Sequence, residues 1–191
     1  MHFFSNKHIF NYPFNVVASS FWQKYPNSHN TVISMDTFHR EFDYENQRLT
    51  TYRIARTKLK GPAYLSYMLS IVGITLENTG VERSVIDLRE KTLTIDSRNI
   101  SGSNLLRFNE RCSYKQNLGD ANLTDFSHDV KIECSATPFK SYIEECSVDM
   151  IGNQAKGGLK ALEKICENLS KNENSKVNNL IAEEAQKLDF D

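Results

Sequence analysis

The sequence predicts an α+β protein. A curved seven-stranded antiparallel sheet is wrapped against a long C-terminal helix, helix-grip-like, with a short lid helix at its rim. Three observations predict this. Apolar and polar residues alternate with period two in about seven stretches, the mark of an antiparallel sheet with one wet face. One amphipathic stretch of about thirty residues follows the last of them. Between two strands lies "KGPAYLSYMLSIVG" (60–73), part of a run with no charge from Lys60 to Glu77 in an otherwise polar chain. A sheet with one apolar face needs a cover. One helix covers part of so broad a face, and the space left between them is a natural cavity.

Taken in order, "MHFFSNKHIFNY" begins with a strand carrying Phe3, Phe4, Ile9 and Phe10. A short helix runs from Phe14 to Lys24 and ends at "KYPN", because proline cannot continue a helix and biases its predecessor away from helical angles. "TVISMDTFHREFDY" and "RLTTYRIARTKL" form a hairpin joined through "DYENQ". The uncharged run follows, bounded by Gly61-Pro62 and Gly73. "GVERSVIDL" and "KTLTIDSRNIS" form a second hairpin around "REK". In "LLRFNERCSYK", Leu106, Phe108, Cys112 and Tyr114 share a face, and Glu110 lies on it. "DFSHDVKIEC" is the clearest strand, with Phe126, His128, Val130, Ile132 and Cys134 on one side.

The long helix is expected to start at "TPFK", with Thr137 as N-cap and Pro138 in the first turn. Phe139, Ile143, Cys146, Met150, Ala155, Leu159, Leu162 and Cys166 recur every three to five residues. Gly157-Gly158 interrupts them at a cost of roughly 2 kcal/mol relative to alanine, which points to a kink or a close approach. "SKNENSK" (170–176) reads as a loop and "VNNLIAEEAQKL" (177–188) as a separate short helix.

The chain has 191 residues, 39% hydrophobic and 25% charged, with net charge -1. That balance belongs to a folded soluble domain and lacks the basic field of a nucleic-acid binder. No run reaches the roughly 18 apolar residues of a membrane span, and neither a secretory signal nor a transit presequence is visible. The four cysteines form no Cys-x-x-Cys pair and the five histidines no His-x-x-x-His pattern. No metal site and no cofactor is therefore expected. The nucleophile-elbow, dinucleotide and Walker patterns are absent, so the chain is not expected to be an enzyme. His128 is read as a hydrogen-bonded core residue rather than a base.

Two acids sit where core residues belong. Glu110 shares its face with Leu106 and Phe108, and Asp36 shares one with Val32 and Phe38. Buried charges need partners or water; Arg40, Arg53 and Arg83 are candidates. The acids form either an ion-pair cluster or the wall of a wet pocket for a polar head group. Lys24, Arg56, Lys58 and Lys60 supply positive charge near the first helix and the uncharged run.

"HIFNYPFNVVASSFWQKYPN" (8–27), "MDTFHRE" (35–41), "LTTYRIA" (49–55), Gly61-Pro62 with its apolar run, "VERSVIDLREKTLTIDSRNIS" (81–101), Glu110 and Tyr114 in "NERCSYK", and "YIEECSVDMIGNQAKGGLKALEKI" (142–165) occur in this order. As an ordered set they resemble the PRELI-like phospholipid-transfer family, closest to its slowmo branch. The resemblance implies a lipid-transfer domain over residues 1–170, with 171–191 as a C-terminal tail, read as a short helix. It implies transfer of an acidic phospholipid, phosphatidylserine or phosphatidic acid, between the outer and inner mitochondrial membranes. It implies peripheral, transient membrane contact in the intermembrane space and a small twin Cys-x9-Cys protein as heterodimer partner. Head-group roles carry over to Lys24, Lys58, Lys60, Gln154 and Lys156, although relatives have Asn where Gln154 stands. Pro62, Leu65, Met68, Leu69, Ile71 and Val72 are expected to form a lid over the acyl chains that dips into the membrane on opening. The alternatives are a small-molecule enzyme on a helix-grip fold and a non-catalytic scaffold.

Overall fold

The computed structural model describes residues 1–24, 32–58, 63–71, 73, 77–135 and 139–188, without the side chains of 65, 68 and 173–188. Its elements follow the order β1 (His2–Phe10), α1 (Phe14–Gln23), β2 (Val32–Asp43), β3 (Arg48–Lys58), α2 (Ala63–Ile71), β4 (Glu77–Asp87), β5 (Thr92–Asn99), β6 (Leu106–Gln116), β7 (Thr124–Cys134) and α3 (Lys140–Leu188). The strands form one antiparallel sheet in the order β1-β7-β6-β5-β4-β3-β2. The expected fold class is the observed one.

Five of the six sheet contacts join sequence neighbours, as hairpins do. The sixth sets β1 beside β7. As a result β1 and β2, consecutive strands, lie at opposite edges, and the connection through α1 has to cross the sheet. α1 buries Phe14, Val16, Val17, Ala18 and Phe21 and packs against α3 and β6. It starts on the carbonyl of Pro13, which accepts the N–H groups of Val16 and Val17, and Lys24 closes it.

Three expectations need correction. Asp36 does not face inward. β2 changes register between Val32 and Ser34 and again between Thr37 and His39, and each bulge turns the following side chains over. Val32 and Met35 therefore face the interior while Asp36 and Phe38 are exposed. The long helix begins at Lys140 rather than at Pro138. Phe139 has φ 81° and its carbonyl accepts the Ile143 N–H at 2.9 Å, so it stands at the cap; Thr137 and Pro138 lie outside the described residues. Finally, α3 continues through 170–176, where a loop was expected. Ser and Asn each lower helix propensity by only some tenths of a kcal/mol, and extending an existing helix is far easier than starting one. The Lys171–Glu167 pair, one turn apart at 2.6 Å, adds local support.

Two hydrophobic clusters hold α3 to the sheet. One unites Phe10, Phe14, Val17 and Phe21 with Leu93, Ile95, Tyr114, Phe126, Leu162 and Cys166. The other joins Leu69 of α2 to Leu106, Val130, Ile132, Cys134, Ile143 and Met150. Between them, the middle of α3 faces a cavity.

Candidate ligand cavity

The cavity has a volume of about 280 Å³ and is bounded by the inner faces of β2 to β7, the end of α1, and α3 from Met150 to Leu162. Period two decides which strand residues reach it. On β3 these are Ala55 and Thr57, on β5 Ser97 and Asn99, on β6 Phe108, Glu110, Cys112 and Tyr114, and on β7 Phe126, His128 and Val130. Gly80 of β4 also lines it. A Cβ there would stand 2.9 Å from the Arg98 carbonyl oxygen, so the close approach of β4 and β5 requires glycine. Gly158 lines the α3 side, and the helix passes through the Gly157-Gly158 pair unbroken.

Apolar and polar walls are distinct. Phe108, Tyr114, Phe126, Val130, Met150, Leu159 and Leu162 make the dry part. The polar part contains one ion pair and one carboxylate–imidazole contact. In the first, Glu82 accepts from the guanidinium of buried Arg53, Nε standing 2.9 Å away. Arg53 also lies over Phe21 and Trp22, at 4.8 and 4.9 Å from the ring centres. Burial pushes the Glu82 carboxyl above its ordinary pKa and Arg53 offsets this incompletely. In the second, His128 Nε2 lies 2.6 Å from Glu110 Oε1. No aligned hydrogen bond joins them. Burial raises the Glu110 pKa, but His128 and the charge of Lys24 outweigh it, and the net pKa is lowered.

Of the expected head-group residues, Lys24 and Gln154 line the cavity. Gln154 Nε2 is buried without a hydrogen-bond partner, so it offers an unused donor to whatever enters. Lys58 follows inward Thr57 and points outward, where its Nζ pairs with Glu77 at 3.1 Å. Lys156 is exposed on α3. Lys60 lies outside the described residues. Of the expected lid, α2 is a helix, Pro62 and Val72 lie outside the described residues, and the side chains of Leu65 and Met68 are not described. Leu69 is buried among Leu106, Ile132 and Ile143, while Ile71, with Tyr64 and Tyr67, is exposed. Among the described residues none of α2 lines the cavity.

Sequence reasoning proposed the wrong partner for Glu110 and passed over Glu82. Glu82 was missed because the β3–β4 register, which sets Arg53 directly opposite it, spans the insertion that holds α2 and is fixed by no tight turn. The Glu110–His128 contact needed the β6–β7 register, which places His128 opposite Cys112.

The model of the PRELI-like family matches residues 15–173 of this chain. The chain is 32% identical over 184 residues to Protein UPS2, mitochondrial, of Saccharomyces cerevisiae, covering 94% of this chain and 79% of the relative. It is 32% identical over 173 residues to UPS-like protein C36.10 of Schizosaccharomyces pombe, covering 89% and 91%. Among solved structures, TTHA0849 from Thermus thermophilus superposes with TM-score 0.61 at 12% identity, over 88% of this chain and 99% of that one. A START superfamily protein from Mycobacterium smegmatis superposes with TM-score 0.51 at 14% identity, over 88% and 99%. At such identities these two likenesses concern the fold.

Proposed function

The chain belongs to the PRELI-like family, and from that premise we propose that it transfers an acidic phospholipid, phosphatidylserine or phosphatidic acid, between the outer and inner mitochondrial membranes. The observation that carries this reading is the two-part cavity. Its apolar wall suits acyl chains, and Lys24 and the unpartnered Gln154 amide suit a phosphate. A lipid in water exposes its chains at a cost of about 0.8 kcal/mol per methylene. A carrier offsets that cost and performs no covalent step.

A cavity of about 280 Å³ is at the small end for ligand pockets. Two acyl chains therefore require the mouth to widen. α2 is the element to move, since it is inserted between β3 and β4 and is held by a buried Leu69 while Tyr64, Tyr67 and Ile71 remain exposed. That exposed aromatic and aliphatic face is suited to a membrane surface. Residence in the intermembrane space and a twin Cys-x9-Cys partner complete the proposal.

Mass spectrometry of lipids extracted from the purified protein tests it, together with vesicle-to-vesicle transfer. Co-purifying acidic phospholipid and transfer that depends on Lys24 are expected. A lipid-free protein without transfer activity, with its cavity closed, would return it to the scaffold class.

A further inference from the structure

The carrier reading leaves three metal-ligating side chains of the cavity wall unused. Glu110 and Cys112 are two apart on the inner face of β6, and His128 stands directly opposite Cys112 on β7. Cβ atoms of opposed residues are about 4.5–5.5 Å apart, so the register alone gathers a carboxylate, a thiol and an imidazole. Glu110 Oε1, Cys112 Sγ and His128 Nε2 all lie within 4.8 Å of one another. Oε1 is 2.6 Å from Nε2 and 3.9 Å from Sγ. His128 Nε2 is shielded from solvent and has no aligned hydrogen bond. All three side chains open onto the cavity.

We propose that Glu110, Cys112 and His128 form a binding site for a borderline-soft divalent cation of the Zn²⁺ type, with a fourth coordination position open to the cavity. One oxygen, one sulfur and one nitrogen is a donor set that suits this cation and disfavours Mg²⁺ or Ca²⁺, which take oxygen ligands. Tetrahedral bonds of about 2.0–2.3 Å place ligand atoms about 3.3–3.6 Å apart. The Oε1–Nε2 pair then widens and the Oε1–Sγ pair closes, each by less than about 1 Å, and the Sγ–Nε2 pair, within 4.8 Å, closes by at most about 1.5 Å, within the reach of side-chain rotation. The thiol proton leaves to solvent as the metal binds, and the carboxylate and thiolate together balance the charge of the dication. Motif spacing along the chain misses such a site because its ligands come from two strands.

The test uses the full chain, freed of metal and lipid, titrated with Co²⁺ and then Zn²⁺ while absorption is followed. One equivalent of Co²⁺ is expected to give a thiolate-to-cobalt charge-transfer band that Zn²⁺ abolishes. Cys112→Ser should remove the band, His128→Gln should weaken binding by at least about tenfold, and Cys146→Ser should retain both. Thermal unfolding followed by circular dichroism confirms that each variant folds. If one does not, Glu110→Gln replaces it and should weaken binding likewise. Absence of saturable binding, or a band that survives Cys112→Ser or disappears with Cys146→Ser, would overturn the proposal and leave a plain Glu–His contact beside a half-buried thiol. Neither result touches the carrier reading, which is decided by lipid extraction.

Discussion

Glu144 of α3 is almost wholly buried, yet its carboxylate accepts hydrogen bonds from the Met1 amino group at 2.7 Å and from the Cys134 N–H at 2.7 Å, and it contacts His2 Nδ1 at 3.0 Å. Burial alone would raise its pKa. The hydrogen bonds outweigh burial and hold it at about 2, against an ordinary 4.5. A folded-state value below the unfolded one contributes stability that is complete above the unfolded pKa and lost as pH falls toward the folded pKa. Glu144→Gln should therefore cost on the order of 2 kcal/mol near neutrality, and that difference should shrink between about pH 5 and pH 2. Denaturant unfolding across this range checks it; a difference that ignores pH would contradict the ion-pair account. Lys24 is the cation proposed for the ligand side. It lines the cavity and lowers the pKa of Glu110 by its charge. Lys24→Ala should weaken binding of an acidic phospholipid by about tenfold, the value of one charge-assisted hydrogen bond. Binding isotherms on vesicles measure it, and unchanged affinity would remove Lys24 from the head-group site.

Among the elements, α2 shows what a sequence can and cannot disclose. Its existence was legible, because Gly61-Pro62 and Gly73 punctuate an uncharged run of helical length. Its orientation was not, since a helix that is apolar nearly all round has no sequence face to bury. Tertiary contact decides, and Leu69 packs while Tyr67 and Ile71 do not. Substitutions on the two sides should part company. Leu69→Ala should destabilise the fold by about 2–4 kcal/mol, as for other buried leucines. Tyr67→Asp should leave the melting temperature within about 2 °C, in line with the small cost of surface substitutions, and should reduce sedimentation with acidic vesicles. Equal destabilisation by both would mean that α2 is a core helix and not a lid. β2 teaches the complementary lesson. Its alternation was visible in the sequence, but the bulge between Val32 and Ser34 reversed the face of Asp36 relative to Val32, and a one-residue slip leaves no trace in the pattern that it moves.

Across the whole molecule, period two exposed the strands and the 3.6-residue period exposed most of α3, because burial on one face imposes those periods. Which strand neighbours which was less visible. The edge positions of β1 and β2, and hence the passage of α1 across the sheet, follow from the β1–β7 pairing alone. That arrangement leaves the two hydrophobic clusters on either side of the cavity, linked by α3 and by the strands beneath it. A ligand that fills the gap ties both clusters together and binds the folded chain alone, so it should raise stability by mass action. At a free ligand concentration of 100 times Kd the gain is about 2.7 kcal/mol. For a chain of this size that corresponds to a rise in melting temperature of roughly 5–10 °C. Delipidated protein titrated with short-chain phosphatidic acid or phosphatidylserine should show this rise by calorimetry, growing with the logarithm of lipid concentration. Phosphatidylcholine of the same chain length offers the same apolar surface with a neutral head group, and it should give a clearly smaller shift. Equal shifts for all three lipids would sink the role of the polar wall in selection, and no shift with any of them would sink carriage in this cavity.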